Sequence, residues 1–246
     1  MAAPISWQIA TVKEVRAETA GTRTLALALP SWMRHQAGQH YDLRLTAPGG
    51  YQAQRSYSIA SAPEREGVVE LTVERVKDGE VSGYLHEVPV VGDLIEVRGP
   101  IGGYFVWDAM LGGPLLLIAG GSGIVPLMAM LRHRQAAGSR VPARLLYSAR
   151  GLDELIYRRE LDALAADGTG LEVIYTLTRS APAGWSGFTR RIDLPMLAQV
   201  AKPLGPEPLV YICGPTLMVE SAASGLAELG IAPARIKTER FGPSGS

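Results

Sequence analysis

Cysteine is nearly absent from this chain of 246 residues, in which Cys213 is the one cysteine. A single thiol excludes a disulfide within the chain and any iron–sulfur cluster held by several of its cysteines. Histidine is also scarce, and the four present, His35, His40, His86 and His133, lack the spacing of a metal-ligand motif. We therefore expect neither a disulfide framework nor a metal centre.

An excess of charge of one sign is absent as well. Basic and acidic side chains number 24 each, so no overall field favours nucleic acid or a membrane surface as a partner. Residues 109–131 carry no charge, but a buried strand, a turn at 119–123 and a buried helix explain this run better than a membrane span. The first residues lack a basic region followed by an apolar core, so a cytoplasmic location is expected.

Residues 1–108 have the pattern of a β-rich domain. Residues 71–76 alternate apolar and polar side chains with period two, and turn residues such as glycine, proline and aspartate separate the candidate strands of this range. The candidate strands are 6–15, 22–29, 40–46, 53–60, 68–76 and 93–98. Six short strands with turn-rich connections predict a small six-stranded antiparallel β-barrel.

Residues 112–246 have a different pattern, in which apolar strands alternate with helices. The candidate strands are 114–119, 143–148, 171–176, 208–213 and 235–241, and the candidate helices are 126–137, 153–166, 193–200 and 216–229. Continuously apolar strands that alternate with helices predict a parallel sheet covered on both faces. We therefore expect a second domain of the α/β class with a five-stranded parallel sheet.

A glycine-rich turn joins the first apolar strand to its helix. Gly121 and Gly123 would let the backbone approach a ligand closely, and Pro126 suits the first turn of a helix. The helix N-terminus would then offer unpaired N–H groups to a diphosphate. The turn alone is weak evidence, because many α/β proteins carry one. It lacks the last glycine of a hydrolase G-x-S-x-G elbow and the G-K-[ST] of a phosphate loop.

The tetrapeptide Arg-Ser-Tyr-Ser at residues 55–58 is a second candidate site. On a strand, Arg55 and Tyr57 share one face, and Ser56 and Ser58 share the other. Arginine has a fork geometry that suits a diphosphate, tyrosine offers a flat ring for stacking on a flavin, and Ser58 could hydrogen-bond near flavin N5. Composition alone favours the plainer alternative of an ordinary strand with a surface arginine and a half-buried tyrosine.

Taken together, these segments resemble the ferredoxin–NADP reductase family over nearly the whole chain. The flavin motif R-x-Y-[ST] of that family matches 55–58, its nicotinamide-nucleotide turn G-[TS]-G-[IV]-x-P matches 121–126, and its C-G-P motif matches 213–215. Its second flavin segment, in which backbone amides and a hydroxyl hold the diphosphate, is similar to 72–75 and 79–82. The resemblance assigns FAD binding to Arg55, Ser56, Tyr57, Ser58, Thr72, Val73, Glu74, Arg75, Gly79, Glu80, Val81, Ser82 and Phe241.

The end of the chain resembles the family's E-x-[YFW] ending. The resemblance implies that Phe241 covers a flavin face and moves when the nicotinamide docks, although the residues that follow it depart from plant-type members. The alternative is that Phe241 is a core side chain on the last strand. By the same resemblance, Ser58 and Glu239 would form a proton path to flavin N5, and Cys213 would align the nicotinamide. Ser58, Cys213 and Glu239 are therefore the expected catalytic residues.

The choice of coenzyme depends on the arginines that follow the strands of the α/β half. A 2′-phosphate favours arginine at these positions, and a bare ribose favours a carboxylate. Arg150 ends the second strand, and the resemblance implies that Arg179 and Arg191 stand where family members bind the 2′-phosphate. These arginines favour NADPH; the alternative is that they cap strand ends or pair with Asp153 and Glu154 and that NADH is used. The residues expected to bind the coenzyme are Gly121, Ser122, Gly123, Pro126, Ser148, Arg150, Thr178, Arg179, Arg191, Cys213, Gly214 and Pro215.

The resemblance implies an FAD-dependent oxidoreductase that takes hydride from NAD(P)H and passes electrons to a separate ferredoxin or flavodoxin. FAD is expected rather than FMN, because residues 79–82 resemble the loop that holds the diphosphate. Two alternatives stay open: a reductase that releases reduced free flavin, and a non-enzymatic electron-transfer subunit of a larger complex. The sequence leaves the oligomeric state open.

Overall fold

The computed structural model describes residues 5–242, which form two compact units. The first unit consists of the residues up to Asp108 together with 128–136, and the second consists of 109–127 and the residues from 137 onward. Residues 1–4 and 243–246 lie outside the described range. The expectations for the very start of the chain and for the tail after Phe241 therefore rest in part on residues beyond it.

The first unit is built on six strands. They are β1 (Trp7–Thr19), β2 (Thr22–Ala28), β3 (His40–Thr46), β4 (Gln52–Ser58), β5 (Val68–Glu74) and β6 (Leu94–Ile101). They form one antiparallel sheet in the order β4-β3-β6-β1-β2-β5. The two outer strands approach each other where Ile59 forms a bridge with Leu71. The predicted six-stranded antiparallel architecture is thus confirmed.

The inner face of this sheet is apolar because alternate residues of each strand point to the same side. Leu25, Leu27, Leu43 and Leu71 are fully buried in one cluster. Burying a leucine side chain contributes about 1.5–3 kcal/mol, so this cluster supplies much of the stability of the first unit.

The sequence did not predict the helix α1 (Glu80–Glu87), which lies between β5 and β6. Val81 and Leu85, four residues apart, point into the barrel core, so the helical spacing was present in the sequence. The usual start signal was not, because the N-cap Gly79 makes no side-chain cap hydrogen bond. Residues 79–82 therefore form the start of a helix, and not only a loop.

The second unit alternates strands and helices as predicted. The elements are β7 (Leu115–Gly120), α2 (Ile124–Ala136), β8 (Ala143–Ala149), α3 (Arg158–Ala166), β9 (Leu171–Leu177), α4 (Leu194–Ala201), β10 (Leu209–Pro215), α5 (Thr216–Glu228) and β11 (Ile236–Phe241). The strands form a parallel sheet in the order β11-β10-β7-β8-β9. Two helix starts differ from the prediction: α2 begins two residues earlier, and α3 begins five residues later, after a short 3-10 turn at 152–154.

Both faces of the parallel sheet are buried. Leu116 and Ile118 of β7 pack with residues of α4 and α5, and the alternate residues Leu115 and Leu117 are equally inaccessible to solvent. A strand that is buried on both sides must be apolar at every position, which is the reason why β7 lacks the alternation seen in the first unit.

Helix α2 contributes its first four residues to the second unit and the rest to the first. Within the first unit, Arg132 donates from Nη1 to the carbonyl of Ala60 (2.9 Å) and to Glu70 Oε2 (3.0 Å). Glu70 is buried and also contacts Arg65 and, at 3.8 Å, Arg16. One buried carboxylate is thus surrounded by three guanidinium groups at the edge where β4 and β5 meet.

Candidate functional site

The glycine turn of the second unit is shaped by close backbone packing. After β7, residues 121–123 form a 3-10 turn that continues into α2. A Cβ on Gly123 would lie 2.1 Å from the carbonyl oxygen of Cys213, and one on Gly120 would lie 2.5 Å from the sulfur of Met218. Gly121 has a φ of +54°, and nothing lies within 4 Å of its missing Cβ. Gly123 is therefore required for packing, whereas Gly121 has open space where its Cβ would be.

The C-G-P motif lies directly against this turn. A Cβ on Gly214 would come within 3.1 Å of the Gly120 nitrogen, so the two backbones touch. In the sheet register, Cys213 is paired with Ala119 on one side and with Glu239 on the other. Continuing across the sheet, Gly120 is paired with Ser148, and Ser148 is paired with Thr176. The structure thus brings together five predicted positions, Gly121, Gly123, Ser148, Cys213 and Glu239, along one edge.

Cys213 is a neutral thiol in this environment. Only 2% of the residue is exposed. Burial, with a further contribution from the charge of Glu239, raises the pKa of the Cys213 thiol well above its usual value. The group can donate a hydrogen bond, but it is not a thiolate nucleophile at neutral pH.

The end of the chain remains paired in the sheet through Phe241. Phe241 is opposite Pro215 in the ladder between β10 and β11 and is half-buried. The neighbouring Arg240 forms an ion pair with Glu220 of α5 at 2.6 Å. The role of Phe241 as a cover for a flavin stays a prediction.

The three predicted phosphate-binding arginines are exposed, and none of them forms an ion pair within residues 5–242. The carbonyl of Arg150 accepts hydrogen bonds from the backbone of Arg179 (2.9 Å) and Ser180 (3.0 Å), which joins the loops after β8 and β9. Thr178 donates its hydroxyl to the Ala149 carbonyl at 3.2 Å. The alternative pairing of Arg150, Arg179 or Arg191 with Asp153 or Glu154 is not seen in this range.

The Arg-Ser-Tyr-Ser segment of the first unit forms most of β4. Arg55 is exposed, donates to the neighbouring Gln54 carbonyl (2.6 Å), and has no carboxylate partner among the described residues. Tyr57 packs against the barrel core, and burial raises its pKa to about 12, although the charge of Arg55 opposes this effect. Tyr57 is therefore an uncharged phenol at neutral pH.

Ser56 belongs to a polar row that sequence reasoning missed. Its hydroxyl donates to Asp42 at 2.6 Å, and Arg98 donates to the same carboxylate at 2.7 Å. Burial by itself would raise the pKa of Asp42, but the hydrogen bonds from Ser56 and Arg98, together with the charge of Arg98, lower it. In the sheet register the row runs Ser56, Asp42, Arg98, Trp7 across four strands. No local signal marks it, because its members are far apart in sequence.

His40 was also missed. It lies directly opposite Ser58 in the ladder between β3 and β4. Burial lowers the pKa of His40, against the charge of Asp42, so the imidazole is neutral at pH 7. A titratable side chain thus lies beside the serine that the sequence assigned to catalysis.

The predicted residues of β5 differ in how their side chains are used. Thr72 is buried and shares a hydrogen bond with Thr24 (2.7 Å), and Val73 is fully buried in the core. Any contact of these two residues with a ligand must therefore come from the backbone. Glu74 and the next residue, Arg75, which follows the end of β5, are exposed, and Arg75 is paired with Glu87.

The first turn of α1 forms a small cradle. Ser82 accepts from the Val76 N–H (3.1 Å) and donates to the Gly79 carbonyl (3.2 Å), so its hydroxyl closes the turn. A Cβ on Gly79 would lie 2.5 Å from Ser82 Oγ. Glu80 accepts from the Tyr51 hydroxyl at 3.0 Å, and the buried Val81 offers only its backbone. An open groove of about 690 Å³ borders residues 75–80.

These donor sets fit two dinucleotides, one on each unit. In the first unit, the unpaired Arg55 and the uncapped N–H groups of α1 suit an anionic diphosphate. In the second unit, a glycine turn at the start of α2 is accompanied by three unpaired arginines. Within residues 5–242 there is no cluster of side chains that could hold a metal ion, and no helix long and apolar enough to cross a membrane. The cytoplasmic location stays a prediction.

Comparison with known proteins gives a consistent result. Residues 9–106 match the family model described as an oxidoreductase FAD-binding domain, and residues 117–224 match the one described as an oxidoreductase NAD-binding domain. The chain is 38% identical over 212 residues to ferredoxin–NADP reductase B of Sorangium cellulosum, a match that covers 84% of this chain and 85% of that protein.

Two further similarities extend over nearly the whole chain. The reductase subunit of an aromatic O-demethylase from an Amycolatopsis species is 32% identical over 246 residues, covering 98% of this chain and 71% of the relative. The FAD/NAD-binding domain of a nitric oxide dioxygenase from Vibrio cholerae has a TM-score of 0.85 at 25% identity, covering 96% of this chain and 98% of that one. Both the sequence and the arrangement of elements are therefore those of oxidoreductases with an FAD-binding and an NAD-binding domain.

Proposed function

The chain belongs to the ferredoxin–NADP reductase family, and we propose that it takes hydride from NADPH onto FAD and passes the electrons to a separate ferredoxin or flavodoxin. The observation that carries the proposal is the grouping of Gly121, Gly123, Ser148, Cys213 and Glu239 along one edge of the parallel sheet. Bound FAD and NADPH would supply the hydride and electron chemistry, and the protein would supply binding, orientation and proton handling.

On the nucleotide side, the turn and the arginines divide the binding of NADPH. The backbone around Gly121, Ser122 and Gly123 and the first N–H groups of α2 would hold the diphosphate. Pro126 suits the first turn of this helix, because an N–H at that position would have no partner within the helix. Arg150, Arg179 and Arg191 would bind the 2′-phosphate. Their lack of carboxylate partners within residues 5–242 supports NADPH over NADH, because no existing ion pair has to be broken.

On the flavin side, Arg55 and the N-terminus of α1 would bind the FAD diphosphate. Tyr57 would present an uncharged ring to the flavin. The backbone of Thr72, Val73, Glu74 and Arg75, and that of Gly79, Glu80, Val81 and Ser82, would line the rest of the ligand.

Three residues would act at the reacting atoms. Cys213, as a buried neutral thiol, would orient the nicotinamide by a hydrogen bond. Ser58 would hold a hydrogen bond at flavin N5, and Glu239 would carry the proton for that atom. Holding the reacting groups in the correct geometry is the largest contribution that the chain itself can make to the rate.

A specific similarity supports a second candidate for the electron acceptor. The aromatic O-demethylase reductase subunit from Amycolatopsis matches over 98% of this chain. This likeness supports another subunit of a multicomponent enzyme, in place of a ferredoxin or flavodoxin, as the electron acceptor. The chain spans 71% of that relative's length, so the comparison concerns the part that the two proteins share.

The visible spectrum of the purified protein tests the proposal. We expect bound FAD, released in stoichiometric amount on denaturation, and bleaching of the flavin absorbance under anaerobic NADPH at a lower concentration than under NADH. A correctly folded, colourless preparation that takes up no added flavin would contradict the flavoenzyme assignment. Faster bleaching by NADH would overturn the coenzyme assignment alone.

The acceptor requires a separate measurement. With NADPH as donor, reduction of added ferredoxin or flavodoxin is expected to exceed reduction of free FAD at the same concentration. Reduction of free flavin alone would indicate the flavin reductase alternative. Failure to oxidise NADPH with any artificial acceptor would indicate a non-enzymatic subunit.

A further inference from the structure

Two adjacent arginines in the second unit have different surroundings. Arg190 contacts three neighbours: its carbonyl accepts from Thr176, and its guanidinium pairs with Asp193 and lies over the ring of Phe188. Arg191 is exposed and has no ion pair in the part of the chain that the structure describes. The two residues therefore differ in chemistry: the charge of Arg190 is compensated by Asp193, and the charge of Arg191 is available to an anion.

The segment 185–193, which contains both arginines, is attached to the outer strand β9. The N–H of Phe188 donates to the Tyr175 carbonyl (3.1 Å), and the N–H of Leu177 donates to the Phe188 carbonyl (2.9 Å). The hydroxyl of Thr176 donates to the carbonyl of Arg190. The backbone on the amino side of Arg191 is thus held to the end of β9, the strand that leads into Arg179.

The side chain of Arg190 links the same segment to the start of α4 through Asp193. Its guanidinium lies 5.0 Å from the centre of the Phe188 ring. Its Nε donates to Asp193 Oδ2 at 2.5 Å, and the other oxygen of Asp193 accepts from the Met196 N–H (2.9 Å) as the N-cap of α4. The two residues between Arg190 and Asp193 are therefore enclosed in a ring that is closed by a charged hydrogen bond.

We infer that Arg190 is a positioning residue: its pair with Asp193 fixes the short link that presents Arg191 to the phosphorylated ribose of the coenzyme. The inference rests on the proposed use of NADPH and deepens it, because it assigns the selection between the two coenzymes to a side chain that does not touch the phosphate. An arginine fork that is preorganised loses less conformational freedom when it binds a phosphate.

The test uses the FAD-loaded protein and two adenosine nucleotides, 2′,5′-ADP and 5′-AMP, whose dissociation constants are measured by calorimetry. Their ratio isolates the contribution of the 2′-phosphate. Arg191→Ala is expected to lower the preference for 2′,5′-ADP by about tenfold or more, the effect of one charged hydrogen bond. Arg190→Ala is expected to lower the same preference by about two- to fivefold, with 5′-AMP binding unchanged, because an exposed ion pair has a modest effect.

Two more variants separate positioning from general structure. Asp193→Ser keeps a good N-cap residue but removes the partner of Arg190, so it should match Arg190→Ala. Arg140→Ala removes an exposed charge from the same unit and should leave the preference unchanged. Thermal unfolding of each variant establishes that the fold is retained.

The outcomes distinguish the possibilities. An unchanged nucleotide preference in both Arg190→Ala and Asp193→Ser, with a loss in Arg191→Ala, would overturn the positioning role and leave the NADPH site intact. If Arg190→Ala loses as much of the preference for 2′,5′-ADP as Arg191→Ala does, and the salt dependence of 2′,5′-ADP binding falls equally in both variants, Arg190 is a direct ligand of the phosphate. That result would also overturn the inference. Equal weakening of both nucleotides would reduce its role to fold maintenance. No loss of preference in Arg191→Ala would contradict the proposed phosphate site itself.

Discussion

The two units assemble their candidate sites in different ways. In the second unit, all strands are parallel, so their carboxyl ends lie along one edge and residues far apart in sequence meet there. In the first unit, the candidate residues come from β4, β5 and the start of α1, and their positions depend on antiparallel pairing and on how the outer strands approach each other. Topology alone locates the first kind of site, whereas the second kind also requires the register of the strands.

The residue types that shape the two sites differ as well. In the second unit, close packing depends on glycines, because Gly120, Gly123 and Gly214 allow two backbones to touch. The first unit relies on charged and polar side chains, such as Asp42 with Arg98 and Glu70 with Arg132. Added volume should therefore damage the second unit most, and lost charge should damage the first.

The largest effect is expected from adding one methyl group to the second unit. In Gly123→Ala the new Cβ would lie 2.1 Å from a backbone carbonyl oxygen, which cannot move aside as a flexible side chain can. Denaturant unfolding should show a loss of about 3 kcal/mol, at the upper end for overpacking, and 2′,5′-ADP binding should be lost. Gly121→Ala is the matched control, with free space but a φ of +54°, and should cost about 1 kcal/mol. Equal effects of the two variants would break the comparison.

Removal of a buried charge should have the next largest effect, in the first unit. Glu70→Gln leaves Arg16, Arg65 and Arg132 around a neutral amide. We expect a loss of about 2 kcal/mol in the free energy of unfolding, because an uncompensated charge near the interior is costly. Glu87→Gln makes the same chemical change at an exposed single pair and should cost less than about 1 kcal/mol. A similar loss in both variants would contradict the special role of the buried carboxylate.

The flavin assignment is tested by Arg55→Ala. Loss of a charged hydrogen-bond donor should weaken FAD binding by about tenfold, measured by the recovery of flavin fluorescence on dilution. Arg34→Ala removes an exposed arginine of the same unit that is paired with Glu64, and should leave FAD retention unchanged. An undiminished flavin content in purified Arg55→Ala would remove the case for a diphosphate contact.

The smallest effect concerns the pH dependence of stability. The first unit is expected to lose stability at low pH and the second at high pH. The pKa of Asp42 is lowered, so its contribution to stability is present above its unfolded pKa and is lost as the pH falls through the folded one. The pKa of Cys213 is raised, so its contribution is complete below about pH 8.5 and declines above that pH, where only the unfolded thiol ionises.

Between pH 7.5 and 9.5, the unfolding free energy of the natural chain should therefore fall by about 1 kcal/mol more than that of Cys213→Ala. Denaturant titrations at each pH measure the difference. Parallel pH profiles would show that the thiol ionises as readily in the folded protein as in the unfolded one.

Much of this architecture could be predicted from periodicity. The four apolar runs of the second unit, bounded by turns and separated by helical patterns, indicate buried strands, and the short strands and turn residues of the first unit indicate a β-rich domain. Helix α1 was not predicted, because only two apolar residues, Val81 and Leu85, are buried on its inner face and Gly79 gives no capping signal. The start of α3 was placed too early because residues 152–154 form a separate 3-10 turn.

The candidate site was predictable in proportion to how local its contacts are. The turn at 121–123 and its helix are neighbours in sequence. Because the carboxyl ends of parallel strands lie along one edge of the sheet, Cys213 is expected beside them. The partner of Ser56 was not predictable, since Asp42 and Arg98 reach it only through the register of three strands. The division of labour between Arg190 and Arg191 was hidden as well, because only the fold shows which of them has Asp193 as a partner.

One feature of the first unit bears on how the chain can be divided. The unit is discontinuous, since nine residues of α2, 128–136, return to it after an excursion through the second unit. A fragment that stops at Asp108 would leave Glu70 and the Ala60 carbonyl without Arg132, and would leave the ring of Trp107 without its edge-on partner His133. Separate expression of the first unit therefore requires that helical segment to be joined to residues up to Asp108, and any transfer of this unit to another protein must carry both pieces.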